Sequence, residues 1–387
     1  MRVALVHDWL TGLRGGERVL DELVTLWPRA DLYTLLHVPG TTTDRIDAMP
    51  IHVSPLARIP GAARHYRKLL PLHPWAVRRL RIEGYDLVLS VHHAVAKSAR
   101  IPPGTRHLCY CLTPMRYVWD QIDAYLGRGA RRALALPLVA ALRRFDRATA
   151  GPAQVTRYLA SSRTVADRVR RHYGRTAEVV NPPIDTERFR PNGRPPEDFY
   201  LLVSAFVPYK RDDLAIQALA GLGRRLVVVG DGPGRRAAAR RAPRHVEFTG
   251  RLPEAEMPGL FARCRALVHP QEEDFGLVAV EVQAAGRPVI AYGRGGATET
   301  VLPLVGPPHA ATRATGVWFE AQSAEALVRA VHRFEAAEAW FDPKLIRSHA
   351  ERFSAPRFRA EIQREVQSVL ELDPHDAMDA AAPPTPP

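Results

Sequence analysis

Residues 269–301 read HPQEEDFGLVAVEVQAAGRPVIAYGRGGATETV. The order is an apolar strand, a loop, a helix, a second strand, a glycine turn and a second helix. Two carboxylates, Glu273 and Glu281, stand with seven residues between them. Glu273 falls in the loop leaving the strand. Glu281 falls inside the helix, which the sequence starts near Phe275 and Gly276. The unpaired N–H groups of such a helix start form an anion site. A phosphate bound there would bring sugar hydroxyls near Glu273. Glu281, about five residues into the helix, lies roughly 7–8 Å along its axis by the rise per residue, within reach of a group such as a ribose. The plainer alternatives are a solvated loop acid for Glu273 and an exposed helix residue for Glu281.

Outward from this stretch the alternation continues. Strand candidates in the first half are Val3–His7, Tyr85–Ser90, His107–Cys111 and Tyr158–Ala160. In the second half they are Tyr200–Ser204, Arg225–Val229, Val246–Phe248, Ala266–His269, Pro288–Tyr292 and Gly316–Phe319. Helical stretches such as Arg211–Leu222 and Pro253–Arg263 separate them. Near-continuous apolar strands between helices indicate parallel sheets covered on both faces, an α/β pattern met twice. A proline-rich, polar connection at residues 181–197 divides an N-terminal domain, 1–180, from a C-terminal domain, 198–345. A helix at 346–372 is expected to pack back on the N-terminal domain. The tail 373–387, DPHDAMDAAAPPTPP, lacks apolar periodicity and reads as disordered.

At 387 residues and 46% hydrophobic content, the chain suits two cores rather than one. The net charge of +13 allows nucleic acid, an anionic membrane or anionic small substrates as partners. Arginine supplies nearly all of it, since only Lys68, Lys97, Lys210 and Lys344 are lysines. A compositional bias explains such a skew equally well. The three cysteines cannot make a disulfide framework, and Cys109 and Cys111 fall on one face of a strand as buried thiols. No stretch approaches the ~20 apolar residues of a membrane span, and the N-terminus does not read as a signal peptide. The expectation is a cytoplasmic protein, or one on the inner face of the cell membrane. Two basic segments with apolar interleaving, 58–81 and 128–147, fit an anionic lipid surface or ordinary helix packing on a sheet.

The segment EDFGLVAVE, 273–281, followed by GRPVI and GGATE, resembles the E-x7-E motif of family 4 retaining glycosyltransferases. VSAFVPYKRDDLAIQAL (203–219), VVVGDGPG (227–234), FTGRLP (248–253) and GGERVL (15–20) resemble that family's glycine loops and donor-domain strands. YCLTPMRYVWD (110–120), VNPPIDTERF (180–189) and TGVWFEAQS (315–323) are similar to the O-antigen and exopolysaccharide mannosyltransferase branch. The resemblance covers roughly residues 1–370. It implies an α/β GT-B fold, two Rossmann-like domains with parallel sheets facing a central cleft.

It also implies roles. Glu273 would bind the transferred sugar, with His92 and Asp8 as further catalytic candidates at strand ends. Lys210 and Arg211 would neutralise the donor diphosphate, and Glu281 would bind the ribose. Phe275, Gly276 and Leu277 would offer backbone N–H groups, and Gly15 and Gly16 would admit the diphosphate to the first strand–helix turn. Arg116 and His93 would contact the acceptor. A structural or surface role competes for each. The implied donor is a nucleotide sugar, GDP-mannose by the branch, and the acceptor a saccharide or polyprenyl-diphosphate-linked oligosaccharide. No cofactor and no metal are expected, because no Asp-x-Asp follows a strand; Asp212 and Asp213 start a helix instead.

Two departures stand out. Ala205 occupies the place of a usual arginine, and Leu112 that of a usual histidine before the Thr-Pro pair. They support a rival reading as a non-catalytic scaffold protein of a polysaccharide assembly complex. A sugar-nucleotide epimerase can share the fold. A nucleic-acid binder would normally show aromatic platforms or recognition motifs, which are missing here.

Overall fold

The computed structural model describes residues 1–122, 130–307 and 313–372. The proposed disordered tail lies outside them, as do the first two residues of the basic segment 128–147. The chain divides into two units. One comprises Met1–Pro183 together with the chain from Phe358; the other is Ile184–Arg357.

In the first unit the strands are β1 (Val3–His7), β2 (Asp31–Thr34), β3 (Ile51–Val53), β4 (Leu87–His92), β5 (Arg106–Cys111), β6 (Arg157–Ala160) and β7 (Ala177–Val179). All pair in parallel, in the order β3-β2-β1-β4-β5-β6-β7. β1, β4 and nearly all of β5 are buried end to end, as continuous apolar runs between two helix layers should be. The alternation of β5 splits its side chains between two cores. Cys109 and Cys111 join Tyr158, Val165 and Val169, while Leu108 and Tyr110 join Leu5, Leu20 and Leu159. Burial pushes the Cys109 thiol up to about 12, so it stays protonated.

β2, β3 and β7 have no counterpart among the strand candidates. β3 and β7 are three-residue edge strands with mostly exposed side chains. Without a second buried face they carry no apolar run to read. The segment 58–81 folds into short helical pieces, Ala62–His65, Tyr66–Leu72 and His73–Val77, rather than one amphipathic helix. Its prolines deny it a continuous ladder.

In the second unit β8 (Tyr200–Val203), β9 (Leu226–Val229), β10 (Val246–Gly250), β11 (Ala266–His269), β12 (Val289–Tyr292) and β13 (Gly316–Phe319) run in the order β10-β9-β8-β11-β12-β13, again parallel. Each order reverses direction beside its first strand, between β1 and β4 and between β8 and β11. In open α/β sheets ligands bind at this switch, beyond the carboxyl ends of the strands. Those ends are His7, His92, Val203 and His269. The last helix, Ala355–Glu371, returns Phe358, Ile362, Val366 and Val369 to the core of the first unit, where Phe358 meets Tyr110 edge-on.

Candidate active site

In the second unit the loop after β8 is shaped by glycines. A Cβ on Gly230 would stand 1.9 Å from the carbonyl oxygen of Ser204, and one on Gly232 1.9 Å from that of Ala205. Only glycine lets the turn after β9 lie this close. Phe206 and Arg211 adopt left-handed backbone, φ 49° and 50°, a costly conformation that the surrounding contacts hold. The turn Pro208–Lys210 lies between them.

Lys210 delivers its ammonium to the Glu273 carboxylate as an ion pair. Each side chain remains somewhat under one-fifth exposed. Burial alone would raise the Glu273 carboxyl, but Lys210 and His269 bring it down to about 2. Gln271 Nε2 lies 3.4 Å from the same carboxylate and 3.1 Å from His269 Nδ1. The glycine turn after β12 closes the other side. Gly296 donates its amide to the Glu273 carbonyl at 2.8 Å, and Cβ atoms at 295 or 296 would collide with the backbone of Glu273 or Phe275.

Gly276 caps the helix Leu277–Ala284 with φ +92°. A glycine there lets the chain enter the helix with its first N–H groups, at Leu277 and Val278, unpaired within it. Phe275 is a core residue, buried and packed edge-on against Phe353 at 5.4 Å. Glu281 is buried at 7% exposure, which removes the reading of an exposed helix acid. Glu299 sits in the first turn of the short helix Ala297–Thr300. Arg211, next to Lys210, holds Asp213 and Gln322 with its guanidinium, and Gln322 in turn holds the Pro270 carbonyl. These contacts brace the loops beside Lys210.

In the first unit, Asp8 is fully buried beyond β1 and accepts the amides of His93, Ala94, Val95 and Ala96 at 2.6–3.0 Å. His93 Nδ1 lies 3.0 Å from the same carboxylate. Burial alone would raise its carboxyl, but the surrounding histidines and hydrogen bonds hold it well below the usual range. A carboxylate so saturated anchors the loop after β4; it has no lone pair to spare for a proton in the reaction. These bonds support the structural role that competed with the catalytic expectation for Asp8. His92 does not follow β4 but ends it, fully buried, with Nε2 3.3 Å from the Tyr173 hydroxyl. Burial and the Lys97 ammonium lower it to about 3, so it is neutral at physiological pH.

Lys97 and Asp146 form a buried pair at 2.9 Å, which Tyr173 and Trp119 join by donating to Asp146. The Trp119 bond fixes the segment carrying half-buried Arg116. Gly15 opens the helix Gly15–Leu26, whose start Glu17 caps by accepting the Arg14 amide at 3.0 Å. A Cβ on Gly16 would press on Leu112 and His7 at 3.0 and 3.1 Å. Leu112, in the place of the usual histidine, thus packs against the glycine turn.

His269 and Gln271 escaped the sequence reading. Their signal was the period-2 spacing 269, 271, 273 beyond the strand, which a histidine ending an apolar run does not announce. The Lys97–Asp146 pair joins residues too distant in sequence for any pattern.

Comparison with known proteins adds to this geometry. A 154-residue stretch is 33% identical to the GDP-mannose-dependent alpha-(1-6)-phosphatidylinositol monomannoside mannosyltransferase of Mycolicibacterium smegmatis, covering 32% of this chain and 40% of that protein. Another, of 239 residues, is 30% identical to the D-inositol 3-phosphate glycosyltransferase of Streptomyces bingchenggensis, covering 51% and 49%. The chain thus matches about half or less of these relatives' length. Among solved structures, the HepE protein of Anabaena in complex with UDP superposes with a TM-score of 0.69 at 17% identity, over 95% of this chain and all of that one. The sucrose-phosphate synthase of Thermosynechococcus elongatus does so with 0.69, also at 17%, over 95% and 99%. The fold class is therefore the one shared by GT-B glycosyltransferases. Residues 183–351, which carry Lys210, Glu273 and Glu281, match the family described as Glycosyl transferases group 1.

Proposed function

We propose that the chain is a retaining hexosyltransferase whose second unit holds a nucleotide-sugar donor. The observation that carries this reading is the meeting of Lys210 and Glu273 at the β8/β11 switch point, beside the start of the helix Leu277–Ala284. A cation, a carboxylate and free helix amides together suit a diphosphate with a sugar attached. Lys210 and the amides of Gly276 and Leu277 neutralise the diphosphate. Glu273 accepts from sugar hydroxyls and Glu281 from the ribose. In the transfer, the bond from the sugar C1 to the diphosphate oxygen breaks and one to the acceptor oxygen forms on the same face. The acceptor proton passes to the leaving diphosphate. The protein contributes position and charge stabilisation, with no metal.

Mannose as the sugar, guanosine as the base and a saccharide or lipid-linked acceptor are part of this proposal, supported by the similarity to a GDP-mannose-dependent relative over part of its length. Proton NMR of GDP-mannose with the enzyme and a chelator tests the reaction type. Slow release of mannose, first as the α anomer, is expected. First release of the β anomer, or conversion to another nucleotide sugar, would refute it.

An anionic membrane surface is the proposed location of work. Leu134, 83% exposed, lies one turn from exposed Leu138 on the helix Ala130–Ala148, with Leu136 exposed on its other flank, and Trp75 is 47% exposed on the short helix His73–Val77. Val139 and Leu142 share one core with Tyr66 and Val77, so both segments cover the same face of the first sheet. Residues 58–81 hold seven arginines and lysines and no carboxylate. Apolar side chains among cations fit phosphate headgroups over acyl chains.

A further inference from the structure

The side chains around Glu273 contain two buried polar atoms with no partner, His269 Nε2 and Gln271 Oε1. Both residues are almost fully buried, at 2% and 3% exposure. An open buried donor is costly and is rarely kept without a use.

The geometry fixes where the protons are. The Gln271 amide nitrogen faces the Glu273 carboxylate, where an amide oxygen would be repelled. The same nitrogen donates to His269 Nδ1. His269 Nδ1 is therefore an acceptor, and the ring proton sits on Nε2. That N–H stands 3.8 Å from Glu273 Oε2, just beyond hydrogen-bond length. Gly276 keeps the gap clear, since a Cβ there would come within 3.4 Å of His269 Nε2 and 3.7 Å of Glu273 Oε2.

Lys210 occupies the other side of the carboxylate. Its long stem makes it the mobile partner, whereas His269 ends a buried strand and stays in place. In the reading given above, the donor diphosphate claims the Lys210 ammonium. Glu273 then loses its cation in a site with little water, where an unsupported carboxylate takes up a proton. We propose that His269 and Gln271 are positioning residues for this exchange: they take over the Glu273 carboxylate when Lys210 leaves it for the diphosphate. The Nε2–H closes its short gap onto Oε2, and the Gln271 amide holds Oε1. Glu273 stays ionised and aimed at the sugar hydroxyls. The destination of Lys210 rests on the transferase reading; the support of Glu273 by His269 does not.

The charged and titratable groups acting on Glu273 are Lys210, from the turn after β8, and His269, from β11, beside the neutral Gln271 amide. The test needs no ligand. Carbon-13 NMR on the full chain, labelled at glutamate carboxyls, follows Glu273, identified by its loss in Glu273→Gln. In Lys210→Ala the midpoint is expected at or below the ordinary glutamate value of about 4.3. Adding His269→Leu is expected to raise it by about one pH unit or more. Gln271→Leu, which also releases the ring proton from Nε2, is the second variant and moves it the same way. Equal midpoints in Lys210→Ala and both double variants would overturn the proposal. In turnover, His269→Leu alone is expected to keep nucleoside-diphosphate affinity within about twofold while lowering kcat about tenfold. Equal losses in binding and kcat would mark a merely structural residue and also overturn it. A wild-type chain that binds no nucleotide would sink the transferase reading, and the NMR midpoints would still decide the role of His269.

Discussion

The amide of Gly296 donates to the carbonyl of Glu273 at 2.8 Å, tying the glycine turn after β12 to the loop that presents the site carboxylate. A Cβ on Gly296 would stand 2.3 Å from the Cα of Phe275. Backbone on both sides leaves nothing flexible to yield. Gly296→Ala is expected to destabilise the second unit by about 2–4 kcal/mol, the range of overpacking and local strain. Urea unfolding followed by circular dichroism measures this, and a change below about 0.5 kcal/mol would mean the turn relaxes freely.

Lys97 and Asp146 make the equivalent tie in the first unit. Both are fully buried, and Asp146 also receives Tyr173 and Trp119. Removing one partner of such a pair leaves a buried charge uncompensated, at about 3–5 kcal/mol. Lys97→Met is expected to cost that much, while Lys97→Met with Asp146→Asn together cost less than the two alone would sum to. Additive costs in a double-mutant cycle would show that the pair does not act as a unit.

Acid should loosen the first unit before it reaches the carboxylates. Burial lowers His73 and His107 to about 4 and His92 to about 3. The folded state therefore holds these rings neutral, while the unfolded chain binds protons near the ordinary value of 6.5. Their stabilising contribution is complete above 6.5 and is lost as pH falls towards the folded values. His107 shows why: its ring is fully buried, with Nδ1 donating to the Gln154 carbonyl at 2.6 Å and Ser90 Oγ 2.8 Å from Nε2, so a second ring proton would place a charge where no water can solvate it. Unfolding free energy is expected to fall between pH 6.5 and 4.5 by up to about 1.4 kcal/mol per pH unit per histidine. His107→Leu should flatten that slope. A slope unchanged in the variant would remove His107 from the account.

Exposed Leu134 offers the membrane test. Leu134→Glu is expected to weaken association with phosphatidylglycerol vesicles about tenfold, from lost apolar burial and added like-sign repulsion. Donor binding should be untouched. Sedimentation with anionic and with neutral phosphatidylcholine vesicles, at low and high salt, measures it. Equal binding by both proteins, or no binding by either, would contradict the proposed surface.

Much of the fold was legible because buried parallel strands write themselves as apolar runs. Val3–His7, Ala266–His269 and Gly316–Phe319 have the boundaries the sequence indicates. The edge strands β3 and β7 were not legible, since one or both of their faces meet solvent. For the candidate site, the E-x7-E spacing and the PYK turn singled out Glu273 and Lys210, which the structure pairs, and Glu281, which it buries. Sequence could not foresee that Asp8 is consumed by four amides, because those amides lie some 85 residues away along the chain. Nor could it show Arg211 turned towards Gln322, a contact set by the left-handed backbone at that residue.

The most direct test of the central claim is calorimetric titration of the chain with GDP-mannose and other nucleotide sugars, alongside Lys210→Ala and Glu281→Ala. Binding by the wild type, weakened about 10- to 100-fold in each variant by loss of a charge-assisted contact, is the predicted result. No binding by the wild type to any nucleotide sugar, or equal binding by all three proteins, would contradict a donor site at Lys210 and Glu281.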